Sequence, residues 1–422
     1  METPANEWLS AAEATALLGV KRETLYAYAS RGRVRTAPGK TARERRYSRD
    51  DLERVRTRAD ARLGHAAVAA GALGWGEPVL DSAICAIRPE APYYRGHSAV
   101  GLAGAVRFEQ VAELLWSGAL PADPPRWRRR RWGTLARRVS AVLPRGASPF
   151  NVFSIAVPIL AAADPRRFSA SAVEERERAR GLIAQLASSL VLLGRGSPDA
   201  LGEESVSATV AAALGTTRGR AAEAIDAVLV LCADHELNVS TFTARVAAST
   251  GADLYLCVSA ALAAASGPRH GGACDRVEAL VREAARPDRA EAVVLARSRR
   301  GEELPGFGHT LYPEGDPRTP PLLQLARAIA PRGLGVRTLL AVVEAMANTR
   351  GTRPSVETGV VAVALALGLP AGAAAGLFSL GRCAGWVAHV IEQRESGQLL
   401  RPRARYVGQV VHPELVEGSA GP

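Results

Sequence analysis

The sequence predicts an all-α protein: a small basic helical unit followed by a long helical body. Three observations predict it. Residues 1–64 carry 14 Lys/Arg against 9 Asp/Glu, so about +5 of the net charge of +11 sits in a small N-terminal segment. From about residue 66, Ala/Leu/Val/Arg-rich segments of helical periodicity run almost to the end, divided by Gly/Pro clusters. Strand signals are scarce there, and no internal repeat is visible. At 422 residues, the chain is long enough for about two or three domains.

The first element is set by Ser10-Ala11-Ala12-Glu13, a capping box with Ser at the N-cap and Glu at N3. A short helix follows to Leu18, where Gly19 breaks it. A second helix spans Arg22 to Ser30, with Gly32 placed to end it. Two short helices across a Gly-containing turn make a helix-turn-helix. Arg33-Val34-Arg35, a Pro38-Gly39 turn and Arg45-Arg46-Tyr47 then read as a basic hairpin, or wing. Ser48 caps a further helix, Arg49 to about Leu63.

Composition narrows the function classes. Hydrophobic residues make up 47% and charged residues 23%, the balance of a soluble globular protein. No stretch approaches about 18 unbroken apolar residues, so no membrane partner is expected. Met1 to Asn6 is polar with no apolar segment behind it, so the cytoplasm is the expected compartment. The five cysteines, at 85, 232, 257, 274 and 383, lie far apart in no metal-ligand spacing and read as small buried hydrophobes. Lys21 and Lys40 are the only lysines. Arginine suits bidentate capture of carboxylate and phosphate, so anionic partners are favoured, nucleic acid or small polyanions. Arg126 to Trp132 interleaves arginine with tryptophan. It reads as a solvated helix face whose tryptophans pack inward; the alternative is a nucleic-acid patch with stacking aromatics.

The N-terminal segment, through Leu9-Ser10-Ala11-Ala12-Glu13-Ala14, Leu17-Leu18-Gly19-Val20 and Thr24-Leu25-Tyr26, resembles the winged helix-turn-helix of MerR-type regulators and phage excisionases. The resemblance covers residues 8 to about 58 of a unit spanning 1–62. It implies that Arg22, Thr24 and Tyr26 lie near bases, and Arg33, Arg43, Arg45 and Arg46 near phosphate. Lys21 stands where that family often has a Ser or Thr cap. The alternative is a packing or dimerisation module.

Four segments of the body carry chemistry. They are Ala233-Asp234-His235-Glu236-Leu237-Asn238 through Thr243, Gly267-Pro268-Arg269-His270-Gly271-Gly272, Pro305-Gly306-Phe307-Gly308-His309 through Arg318, and Gly381-Arg382-Cys383-Ala384-Gly385-Trp386, followed by Arg401-Pro402-Arg403. Glycines beside a histidine let backbone and ligand approach closely. A neutral imidazole held there can donate to an enolising oxygen, and nearby arginines can fork onto carboxylates. No His-x₃-His spacing or acidic cluster supports a metal. The residues point to a polar site for a small polyanion.

With Tyr94-Arg95-Gly96, Phe108-Glu109, Leu114-Leu115-Trp116-Ser117-Gly118 and Arg405-Tyr406-Val407-Gly408, these segments resemble those of the citrate synthase superfamily, in the same order over about 90–410. The resemblance implies an all-helical body in two domains. Residues 66–269 and 366–411 form the large one and 270–365 the small mobile one, with 412–422 as a tail. It implies a homodimer, no cofactor, and the substrates oxaloacetate and acetyl-CoA or another short acyl-CoA. His270 would hydrogen-bond the thioester oxygen as it enolises, and His309 would polarise the keto carbonyl. His235, Arg318 and Arg382 would hold the dicarboxylate, joined by Arg401 of the neighbouring subunit. Leu304, Pro305, Gly306, Phe307 and Gly308 would meet CoA.

One departure is large. The family's general base is an aspartate in a Pro-Asn-Val-Asp context, and this chain has Pro354-Ser355-Val356-Glu357. A carboxylate remains to abstract a proton, but the extra methylene moves it by about one carbon–carbon bond. Reduced activity is expected, with Glu357→Asp faster. Arg269 replaces a usual Leu, Cys274 a frequent Asn, and Pro313 a frequent Lys or Arg. Citrate synthesis is the first reading. The others are 2-methylcitrate synthesis or citryl-CoA cleavage, and a metabolite-sensing transcription regulator with a degenerate synthase body.

Overall fold

The computed structural model describes residues 8–30, 34–39, 45–49, 51, 52, 55, 80–127, 133–169, 171–193, 205–216, 219–402 and 408. The chain divides into two compact units, residues 1–81 with 401–422, and residues 82–400.

In the first unit β1 (Trp8–Leu9) leads into α1 (Ala11–Leu18) and α2 (Arg22–Ser30), followed by β2 (Thr36–Pro38) and β3 (Arg45–Ser48). The capping box forms as the sequence dictates: Ser10 N–H donates to Glu13 Oε2 at 2.8 Å, and Glu13 N–H donates to Ser10 Oγ at 3.3 Å. Gly19 closes α1 in the left-handed region, φ 61°. The strands run antiparallel in the order β1-β3-β2. Two features differ from the expected wing. The first wing strand begins at Thr36, with Pro38 paired to Arg45 rather than turning the chain. A third strand, Trp8–Leu9, pairs with the other side of β3. Leu9, Ala14, Leu25, Val34, Tyr47 and Leu52 form this unit's own core. Residues 49, 51, 52 and 55 are helical. The rest of the expected Arg49–Leu63 helix lies outside the described residues, as do Gly32, Arg33 and Arg43.

The second unit opens with strands the sequence did not announce, β4 (Cys85–Arg88), β5 (Ala91–Tyr94) and β6 (His97–Ser98), in an antiparallel meander. Tyr93 and Tyr94 supply the strand preference, but the run is too short for a clear period. Helices follow in order: α3 (Ala99–Leu102), α4 (Phe108–Ser117), α5 (Gly133–Val142), α6 (Pro149–Ala163), α7 (Ala172–Ser189), α8 (Val206–Ala213), α9 (Ala221–Cys232), α10 (Val239–Ser249), α11 (Leu254–Ala265), α12 (Ala273–Ala284), α13 (Ala290–Arg299), α14 (Thr319–Ile329), α15 (Leu334–Arg350), α16 (Val356–Leu367) and α17 (Ala373–Ser396).

The core is built on α17, which packs against α4, α9, α10 and α16. By length and mean hydropathy α17 could cross a membrane, yet that whole apolar stretch is buried inside the protein. Burial on all sides explains a helix apolar all round. One large apolar cluster runs from Ile84 to Ile391. A separate one joins Leu280, Ala284, Ala290, Val293, Val294, Leu304, Val342, Ala345 and Met346. All five cysteines are buried thiols. Trp127 packs inward, stacked on Trp116 at 5.6 Å, with its indole N–H on Glu113. The remainder of the Arg/Trp run, 128–132, lies outside the described residues.

Candidate active site

The first histidine follows the end of α9. Tyr94 Oη binds the carbonyls of Val230, Leu231 and Asp234 within 3.2 Å, which fixes this turn. Glu236 takes a left-handed φ of 55°, and its N–H donates to Asp234 Oδ2 at 3.0 Å. His235 is thereby held in the interior, with Nε2 3.1 Å from the Tyr312 hydroxyl. Burial depresses its pKa well below the usual imidazole range, and the charges of Arg318 and Arg382 push the same way, followed by His309 and His270.

His270 sits in the tight link between α11 and α12. A Cβ at Gly271 would lie 2.8 Å from the Ala265 carbonyl, and one at Gly272 2.8 Å from that of Ser266, so this turn requires glycine. His270 Nε2 lies 2.7 Å from Ser240 Oγ, which also accepts from Trp386 Nε1 at 3.0 Å. Asn238 caps α10 through its Oδ1 and also faces Ser240 Oγ at 2.7 Å. The single Ser240 hydrogen has two takers; when it turns to His270, Nε2 accepts and the outer Nδ1 carries the ring hydrogen. Burial first, then Arg382, lowers the His270 pKa to about 4. The ring is neutral at neutral pH.

His309 follows the Gly306-Phe307-Gly308 loop. Its Nδ1 accepts from Leu311 N–H at 3.2 Å, so the hydrogen of the neutral ring is on Nε2. Burial and Arg318 lower its pKa, with Asp316 and Glu357 opposing. Its ring centroid lies 5.4 Å from that of His235 and 5.0 Å from that of Tyr312.

Two buried arginines complete the cluster. Arg318 donates Nε and Nη2 to Asp316 at 2.9 and 2.7 Å. Its Nη1 is buried and meets no hydrogen-bond partner among the described residues. Burial opposes both charges, but Arg318 holds Asp316 below the usual carboxylate range, and Asp316 raises the Arg318 guanidinium in turn. Arg382 Nε donates to the Cys232 carbonyl at 2.7 Å, and its guanidinium lies 4.9 Å over the Phe378 ring. The same ring meets His270 edge-on at 5.9 Å.

The loop carrying Leu304 to Gly308 is bonded to the start of α16. Gly308 N–H donates to the Arg353 carbonyl, and Ser355 N–H to the Gly306 carbonyl, both at 2.9 Å. Thr358 Oγ1 donates to that same Gly306 carbonyl at 2.7 Å. Gly306 has φ 82°, and a Cβ there would strike Val277 at 2.4 Å. Leu304 and Pro305 are buried, Phe307 is half-buried and Gly308 exposed. Glu357, half-buried in the first turn of α16, accepts from Ser355 Oγ at 2.5 Å.

His235 thus feels the charges of Arg318, Arg382, His309 and His270, while Glu357 acts on His309. Arg401 is exposed in the other unit. In that unit Arg22 and Tyr26 are exposed four residues apart on one face of α2, while Thr24 is half-buried on another. Arg45 is exposed, and Arg46 is half-buried, with Nη1 3.4 Å from the Trp8 carbonyl. Reasoning from sequence missed Ser240, Tyr312, Asp316, Ser355 and Phe378. Four of these lie inside or beside the quoted segments, but their role is to hold another side chain, which spacing does not reveal.

Residues 72–403 match the family model of the citrate synthase C-terminal domain, and residues 8–59 match a helix-turn-helix domain. The chain is 45% identical over 206 residues to "Putative citrate synthase 2" of Mycobacterium bovis, a match covering 46% of this chain and 54% of that protein. It is 31% identical to 2-methylcitrate synthase 1 of Corynebacterium glutamicum over 75% of this chain and 88% of that one. Among solved structures, the ternary complex of Thermoplasma acidophilum citrate synthase with carboxymethyl coenzyme A and oxaloacetate aligns with TM-score 0.70 at 25% identity, covering 79% of this chain and 95% of that one. Thermotoga maritima citrate synthase aligns with TM-score 0.67 at 26% identity, covering 80% and 95%.

Proposed function

The chain belongs to the citrate synthase family, and from that premise we propose that it condenses oxaloacetate with acetyl-CoA and water to give citrate and CoA. The observation that carries this reading is the cluster of three histidines kept neutral beside two buried arginines, one with an unengaged guanidinium nitrogen. Glu357 removes a proton from the thioester methyl. His270 donates to the enolising thioester oxygen from its neutral ring. The methyl carbon attacks the keto carbonyl, which His309 polarises through Nε2–H. His235, Arg318 and Arg382 hold the two carboxylates, and water then cleaves the citryl thioester. Leu304 to Gly308 would meet CoA. Residues 270–365 would close as a small domain; nine of their buried residues, from Leu280 to Met346, form an apolar cluster apart from the main one. A homodimer would bring Arg401 to the neighbouring site. The helix-turn-helix unit is proposed to bind DNA, supported by the family match and the exposed Arg22, Tyr26 and Arg45.

The test is thiol release from acetyl-CoA in the presence of oxaloacetate. His270→Ala and His309→Ala should each lower kcat by about 10²–10³, the usual loss for a preorganised donor, without lowering the melting temperature. Near-wild-type turnover in either variant removes that histidine from the mechanism. A second reading, 2-methylcitrate synthesis from propionyl-CoA, is favoured by the long match to the Corynebacterium protein. One methylene is worth only about 1–3 kcal/mol in a pocket, so the ratio of kcat/KM for the two thioesters decides.

A further inference from the structure

Ser355 occupies the N-cap of α16 with φ −90° and ψ 172°, the backbone conformation in which a serine hydroxyl ordinarily accepts from the second or third amide of its helix. It makes no such bond. Its hydroxyl instead donates to Glu357 Oε2 at 2.5 Å, within the short range of hydroxyl-to-carboxylate hydrogen bonds. The segment around it is anchored independently. Ser355 N–H is on the Gly306 carbonyl, Val356 N–H is on Asp316 Oδ2 at 3.2 Å, and Ser355 is buried. The serine therefore stands on a backbone fixed both to the 304–308 loop and to the carboxylate that grips Arg318.

We infer that Ser355 is a positioning residue, whose hydroxyl folds the long Glu357 side chain back against the start of α16 and holds one carboxylate oxygen, leaving the other to take the substrate proton. This rests on the reading of Glu357 as the general base. A glutamate has three side-chain torsions to fix, and an unanchored one spreads its carboxylate over several rotamers. A base must come within about 2.6–3.2 Å of the proton it removes, so each displaced rotamer is unproductive. The anchor compensates for the methylene that would otherwise carry the carboxylate past its place. Alanine at 355 keeps every backbone bond of the turn and removes the anchor alone.

The experiment combines kinetics with a structure. In Ser355→Ala, kcat for thiol release from acetyl-CoA with oxaloacetate should fall about 10- to 10²-fold, the cost of a misplacement near 1 Å, with both KM values unchanged. Ser355→Thr, which keeps the hydroxyl, should recover most of the rate. A crystal structure of Ser355→Ala should show the Glu357 carboxylate displaced from the start of α16. An unmoved carboxylate, a wild-type kcat, or a loss that appears in KM alone overturns the inference. Glu357→Gln separates the two failures. If it keeps full turnover, the base assignment and this inference fall together. If it is inactive while Ser355→Ala turns over normally, only the inference falls.

Discussion

Glu357, the proposed base, is one methylene longer than an aspartate. The proposed base must approach a thioester methyl, and its carboxylate is held through Ser355 Oγ. Glu357→Gln keeps the shape and removes the proton acceptor, so turnover should be lost. From sequence alone Glu357→Asp is expected to be faster than wild type. The Ser355 hydrogen bond favours the opposite order, because a shortened side chain withdraws from that hydroxyl by about one carbon–carbon bond and loses its anchor. We therefore expect Glu357→Asp to run about 10-fold slower than wild type in kcat, again a positioning loss. Turnover above wild type in a thiol-release assay would show that aspartate reaches the methyl unaided.

Where α4, α8 and α9 meet, two buried carboxylates serve as helix caps. Glu109 Oε1 accepts from Val206 N–H at 2.6 Å, and Asp226 Oδ1 accepts from Phe108 N–H at 3.2 Å. Burial first, and then the charge of Glu109, push the Asp226 pKa up to about 7, against the opposing Phe108 N–H. The sign of the pH effect follows. Between about pH 4 and 7 the folded state holds a proton that the unfolded chain has released, so this group adds stability as pH falls through that window and imposes its full penalty above it. Asp226→Asn keeps an acceptor for Phe108 N–H and removes the charge. It should raise stability at pH 8 by on the order of 2–4 kcal/mol, with the gain vanishing towards about pH 4. Thermal unfolding followed at both pH values checks this, and a gain independent of pH, or a loss at pH 8, would refute it.

Across the whole chain, two compact units have separate apolar cores. Among its described residues, the first buries Leu9, Ala14, Leu25, Val34, Tyr47 and Leu52 together and exposes Arg22, Tyr26 and Arg45. The second contains the histidine and arginine cluster. Deleting residues 1–62 should abolish DNA binding and leave condensation kinetics unchanged. Full-length protein should bind duplex DNA with an affinity that falls steeply with salt, since each phosphate neutralised releases counterions. Failure to shift any duplex at low salt would leave the N-terminal unit a packing or dimerisation module.

Local signals in the sequence were sufficient wherever neighbouring residues decide the outcome. Ser10 and Glu13 close a capping box three residues apart and Gly19 turns left-handed, so α1 and α2 are legible to the residue. The glycines after His270 are likewise dictated locally, because only glycine clears the carbonyls of Ala265 and Ser266 there. What remained hidden depends on groups far apart in the chain. The β4–β6 meander is too short to show a period. Ser240 reaches His270 across 30 residues, and Tyr312 reaches His235 across 77. The Asp316–Arg318 pair is local, yet its meaning appears only when Val356, 40 residues on, donates to the same carboxylate. Sequence determined which groups could do the chemistry, since side-chain identity sets proton affinity and hydrogen-bonding capacity. The tertiary structure decided their protonation and aim, because burial and the charges packed around each group exist only once the chain has folded.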